Sequence, residues 1–141
     1  MIKKILVAFD GSEQSYKAYD FALELTKLCP GAAPEILVLS VAQPPEPADI
    51  VEVDAIIDSA TQHYEELFKE LTEKAKEKNI EIKTEVGVGH PADQIVRYAK
   101  DKNCDMVIVG QTGKSRIENW LLGSVSKRVS TYSPCTVTIV K

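Results

Sequence analysis

Hydrophobic positions along this chain fall into short unbroken runs, separated by longer stretches in which apolar residues recur at helical spacing. Ile5-Leu6-Val7-Ala8-Phe9 is apolar throughout, as a strand covered on both faces requires. It stops at Asp10-Gly11-Ser12, a turn signal that also supplies Ser12 as a helix cap and Glu13 for the helix's positive end. Ala18, Ala22, Leu25 and Leu28 then mark one face of a helix that Pro30-Gly31 closes. Ile36 to Val41 is a second buried run, and Pro44-Pro45-Glu46-Pro47 after it suits an exposed loop but neither helix nor central strand.

A long helix is predicted over about 54–78, with Ile57, Ala60, Tyr64, Leu67, Leu71 and Ala75 along one face. At about 1.5 Å per residue it outruns the short strands beside it, which leaves one end to project or to meet a partner. Ile80 to Val86 alternates apolar with polar, the pattern of a half-exposed strand near a sheet edge. After the turn Gly87–Pro91, with Pro91 suited to a first helical position and His90 to the cap before it, Ile95, Val96 and Ala99 give the next helix its buried stripe. Met106–Val109 is the fourth strand, 124–132 the last helix, and Thr136–Val140 the fifth strand.

Strand and helix alternate from end to end, which predicts an α/β fold: one five-stranded, doubly wound, parallel sheet of Rossmann-like type with helices on both faces, filled by a single domain over 1–141. In such sheets ligands bind beyond the carboxyl ends of the strands. Three turns fall on that edge: Asp10-Gly11-Ser12, Val41-Ala42-Gln43, and Gly110 to Gly113.

The third turn carries the chemistry. Gly110-Gln111-Thr112-Gly113 is followed, nine residues on, by Gly123-Ser124-Val125-Ser126 at the start of a helix. Glycines let the backbone turn tightly and let its N–H groups approach a ligand, and a helix N-terminus adds N–H groups with no internal acceptor. Strand end, glycine turn and helix start together form a phosphate cradle, with Ser124 and Ser126 as hydroxyl donors. Gly113-Lys114-Ser115 is not a P-loop, because Ile108 stands where the first glycine of GxxxxGK[ST] belongs. A GxGxxG fingerprint after the first strand is absent as well. Asp10 could reach a ribose hydroxyl or a metal, or could simply close its own turn through an Asx-type bond. Val41 would matter through its backbone amide and carbonyl, which can read an adenine edge.

Composition narrows the class. With 44% hydrophobic and 27% charged residues the chain is an ordinary globular one, and its net charge of −4 argues against non-specific nucleic-acid binding. Lys114, Arg116, Lys127 and Arg128 still leave a local basic spot around the glycine motif. Cys29, Cys104 and Cys135 lack metal or redox spacing, and Cys104 and Cys135 are expected as small core residues. No secretory h-region or membrane-length apolar run is present, so a cytoplasmic setting without membrane attachment is expected.

The spacing Gly110-x2-Gly113-x9-Gly123-Ser124, together with Ile5–Asp10, Val38–Val41, Gly87–Pro91, Asp105–Gly110 and Ser133-Pro134-Cys135, resembles the ATP-binding branch of the universal stress protein family over nearly the whole chain. The resemblance implies the strand order 3-2-1-4-5 and a nucleotide-dependent regulatory role in stress response, with ATP, carried with Mg²⁺, as the ligand. It places the phosphates on Gly110, Gly113, Gly123 and Ser124, helped by Ser126. Asp10 falls at the ribose, with a possible reach to the metal. Val41 falls at the adenine, Ala8 at the base pocket, and Gln111, Thr112, Lys114, Ser115, Arg116 and Val125 along the same loop. It also implies a homodimer through the last strand. Residues 136–140 agree independently, since a strand with no charge or proline at a sheet edge tends to pair with a twofold copy. Slow Mg-dependent ATP hydrolysis and a nucleotide-free adaptor bound to an unidentified protein are the alternatives. No water-positioning base stands near the motif, so at most slow turnover is expected.

Overall fold

The computed structural model describes residues 2–44, 50–111 and 123–141. Its elements are β1 (Lys4–Ala8), α1 (Glu13–Leu28), β2 (Glu35–Ala42), α2 (Ile50–Glu77), β3 (Ile82–Val88), α3 (Pro91–Asp101), β4 (Met106–Gly110), α4 (Ser124–Tyr132) and β5 (Thr136–Val140). The five strands form one parallel sheet in the order β3-β2-β1-β4-β5. Fold class and strand order are those expected from the alternation and the resemblance.

The unbroken apolar runs serve two cores at once, because successive strand side chains face opposite sides. Ile5, Val7 and Phe9 join Ile36, Val38 and Ile108 under α1 and α2, where Tyr19, Leu23, Phe68 and Leu71 cover them. Leu6 joins Leu37, Leu39, Val107 and Val109 on the other face, beneath Ile95, Ala99 and Val129 of α3 and α4. Fully burying one Leu, Ile or Val side chain contributes roughly 1.5–3 kcal/mol, so these paired faces hold the sheet against its helices.

Helix ends explain where expected and observed boundaries part. Ser12 caps α1 as expected, its Oγ accepting the Ser15 N–H at 3.2 Å. At the end of α2, Asn79 takes φ +59°. Its N–H donates to Lys76 O at 2.9 Å, and the Ile80 N–H donates to Ala75 O at 2.9 Å. This is the paired-bond close of a helix whose next residue is left-handed. Ile80 is thereby committed to the helix, and β3 begins at Ile82, two residues later than the alternation suggested. Asn103, at φ +54°, ends α3 in the same manner through Cys104 N to Ala99 O. His90 does occupy the cap position of α3, but its imidazole makes no capping bond; the backbone oxygen of His90 receives the Gln94 N–H instead. Among the described residues no helix is long and apolar enough to cross a membrane.

Helix α2 starts at Ile50, four residues before the predicted point, and its 28 residues span about 42 Å. Strand β3, with seven residues, spans about 23 Å. Among the described side chains of α2, the first to be buried is Phe68, and Leu71 is the first with no exposure at all. Because α2 descends from the carboxyl end of β2, its N-terminal turns stand above the sheet edge where the expected site lies.

Candidate functional site

Four segments converge on the carboxyl edge of the sheet. The first is the turn after β1. Gly11 has φ +84°, and the Ser12 N–H donates to Asp10 Oδ1 at 2.9 Å. The Asx bond left open by the sequence therefore exists.

The second segment is the end of β2. The Phe9 N–H donates to Leu39 O at 2.9 Å, so the odd-numbered carbonyls of β2 face β1. Strand geometry repeats that direction two residues on, and the Val41 carbonyl consequently points across the space above the end of β1. Even-numbered Ala42 faces the other way and accepts from Gly89 N at 3.0 Å. Ala8 and Val41 pack against the α3/α4 core from positions that stay partly open.

The third and fourth segments are the end of β4 and the start of α4, and they are tied to each other. Ser126 Oγ donates to Gly110 O at 2.9 Å, and Ser126 is buried. The hydroxyl proton expected at a phosphate is thus given to the strand end, which anchors the helix there. Gly123 sits at the cap position of α4 with no side-chain cap, and the first intrahelical bond is Lys127 N to Gly123 O. Helix geometry leaves the N–H groups of Ser124, Val125 and Ser126 without intrahelical acceptors, at the positive end of the helix. Ser124 is exposed and Val125 half-buried. Gln111 N donates to Val140 O at 2.8 Å, extending the β4–β5 ladder by one residue. Thr112, Gly113, Lys114, Ser115 and Arg116 lie outside the described residues.

Gly110 has a role that sequence reading did not anticipate. A Cβ there would lie 2.5 Å from Gln14 O and 2.6 Å from Gln14 C. The close approach that its glycine permits is to the first turn of α1. Such a contact spans most of the chain, and no local signal announces it.

A shallow depression lined by Phe68, Lys69, Thr72 and Thr84 lies between α2 and β3 and includes none of these residues. Among the described residues no group of three or more His, Cys, Asp or Glu side chains could hold a metal ion.

The whole chain, residues 1–141, matches the model of the universal stress protein family. It is 34% identical over 151 residues to universal stress protein YxiE of Bacillus subtilis, covering all of both chains. This chain belongs to the universal stress protein family. Its fold superposes on that of MJ0577 with a TM-score of 0.85 at 29% identity, covering 100% of this chain and 96% of the other. A universal stress protein solved in complex with cAMP matches with a TM-score of 0.73 at 25% identity, covering 99% of this chain and 97% of that one.

Proposed function

We propose that this universal stress protein is an ATP-binding regulatory module of the cytoplasm that works as a homodimer. The observation that carries the reading is the Ser126–Gly110 bond, which holds the amino end of α4, without a side-chain cap, at the carboxyl end of β4. Beside it stand the Val41 carbonyl for an adenine amino group and the Asp10 carboxylate for a ribose hydroxyl. The residue types fit a nucleotide: backbone N–H groups for the anionic phosphates, a carbonyl for the base and a carboxylate for the sugar. In this reading Gly110, Gly113, Gly123, Ser124 and Val125 surround the polyphosphate with Gln111, Thr112, Lys114, Ser115 and Arg116. Ser126 fixes the helix, and Ala8 floors the base pocket. Mg²⁺ would arrive on the phosphates, with Asp10 in reach of it. The bound cAMP of the relative supports a nucleotide as the class of ligand.

Charge-assisted phosphate bonds contribute roughly 1.5–3 kcal/mol each. Several of them, less the cost of association, are consistent with micromolar affinity, about −8 kcal/mol. Acid extraction of the purified protein followed by mass spectrometry identifies a co-purified nucleotide, and calorimetry with Mg·ATP measures its affinity. Gly113→Val abolishes binding while thermal unfolding stays unchanged; retained affinity in that variant overturns the cradle. Single-turnover assays with Mg·ATP are expected to show slow hydrolysis or none.

Strand β5 carries the homodimer in this reading. It lies at one end of the sheet order, opposite β3. Sedimentation at micromolar concentration checks it, and a purely monomeric chain rules it out.

A further inference from the structure

We propose that the free edge of β3, with the face of α2 above it, is a self-association surface that takes a second copy of this chain about a twofold axis through Thr84. The surface lies at the opposite end of the sheet from β5 and depends neither on that strand nor on the nucleotide.

The backbone of β3 sets the geometry. The Gly89 N–H donates to Ala42 O at 3.0 Å, and the strand repeat of two turns the odd-numbered residues of β3 toward β2. Ile82, Thr84, Val86 and Val88 therefore present their N–H and C=O groups to the open edge, a template for another strand. In an antiparallel copy centred on Thr84, each Thr84 exchanges both backbone bonds with its twin. Ile82 then meets Val86, apolar against apolar, and Lys83 stands opposite Glu85. Thr–Thr and opposite-charge pairs are favourable across strands, and like charges are not. Moving the centre to Lys83 or to Glu85 sets like charges face to face, so the side chains select one register.

Charges on an edge strand ordinarily keep other strands away; in this register they attract. Lys83 pairs with Glu35 at 2.8 Å and Glu85 with Lys102 at 3.5 Å. Glu35 and Lys83 of one copy, followed by Glu85 and Lys102 of the other, thus make a single row of alternating sign.

The depression between α2 and β3 supplies a separate observation. Thr84 lines it from β3 and Phe68 and Thr72 from α2, with Glu65, Lys69, Glu73 and Lys76 along the helix. These four charges are exposed and alternate in sign about one turn apart. Turned about a twofold axis between residues 69 and 73, Lys69 meets Glu73 of the second copy and Glu65 meets Lys76, each in both directions. Strand and helix are therefore self-complementary about the same place, which is what a C2 interface requires.

Sedimentation velocity on the full chain, from micromolar concentration upward, tests the surface. Thr84→Pro removes an N–H on the open edge and no bond to β2, a position where a strand tolerates proline. It is expected to abolish one association step of wild type while the thermal melt stays cooperative. Lys69→Glu places two like-charge pairs across the axis and is expected to raise the dissociation constant of that step about tenfold. Adding Glu73→Lys to it is expected to restore the wild-type value. Where β5 also pairs, wild type passes beyond the dimer and Thr84→Pro stops there; where β5 does not, wild type stops at the dimer and Thr84→Pro at the monomer. Should Thr84→Pro fail to fold, the charge reversal and its rescue decide alone. A wild-type chain that stays monomeric, or association that neither variant changes, leaves this edge to a different protein and overturns the proposal.

Discussion

The Cβ position of Gly110 lies 2.5 Å from the backbone oxygen of Gln14. Real Cβ atoms do not approach a backbone oxygen so closely, so the end of β4 and the first turn of α1 can meet only if residue 110 is glycine. The same residue accepts the Ser126 hydroxyl through its carbonyl. One position therefore fixes the amino ends of two helices, α1 and α4, at the edge where the nucleotide is proposed to bind.

Gly110→Ala forces α1 or β4 to shift, because the opposing atoms are backbone and cannot rotate away. Overpacking of this kind costs about 1–3 kcal/mol. Urea unfolding is expected to show a lower midpoint, and calorimetry a weaker affinity for Mg·ATP. Unchanged stability would mean that the two elements are not in contact at this distance.

How much of this was legible beforehand follows from the range of each interaction. Strand β5 reads to the residue from the sequence, since Pro134 bounds it on one side and Lys141 follows it on the other. The cap at Ser12 was equally plain, because it acts over three residues. The start of β3 was misplaced because Asn79 can adopt a left-handed backbone, and the sequence there carries no glycine to advertise it. The sequence marks Gly110 as a position of close approach, which it is, but to Gln14 and not only to a ligand. The neighbour comes from α1, far away in sequence. The sequence offers Ser126 as a hydroxyl donor, and its acceptor is the strand end at Gly110 O.

Tyr19 joins α1 to α2 across the core. Its hydroxyl donates to Leu71 O at 2.6 Å, and the residue is fully buried. Burial, with a smaller contribution from Asp20, pushes the phenol well above its ordinary value, so it remains a donor at neutral pH. Tyr19→Phe keeps the ring and removes this bond, for an expected loss of about 1 kcal/mol. Chemical denaturation checks the value. A loss near zero would show that the hydroxyl contributes nothing net at that site.

At the opposite edge of the sheet, Asp105 accepts the N–H groups of Lys3 and Lys4 at 2.8 and 3.0 Å. These backbone bonds hold its carboxyl below the ordinary value of 3.8. A carboxyl depressed in the folded state stabilises the fold above the unfolded value, and that stabilisation is lost as pH falls through the folded one. Asp105→Asn is therefore expected to unfold earlier than wild type at pH 7, with the gap closing as the pH drops below the ordinary carboxylate range. Thermal melts of both proteins between pH 7 and pH 2 test this. A gap that is constant across the series would remove the charge from the explanation.

Cys104 illustrates how burial silences a thiol. It is 7% exposed within the α3/α4 core, and burial is the main cause that pushes its titration up to about 11. The thiolate is the reactive form, and at pH 8 almost none of it is present at this position. Iodoacetamide at that pH is expected to spare Cys104 in the folded protein and to modify it once urea has unfolded the chain. Peptide mapping by mass spectrometry distinguishes it from Cys29 and Cys135, which are both partly exposed. Rapid native alkylation of Cys104 would require the core beneath α3 to open on the timescale of the reaction, and it would place that layer among the least stable parts of the fold.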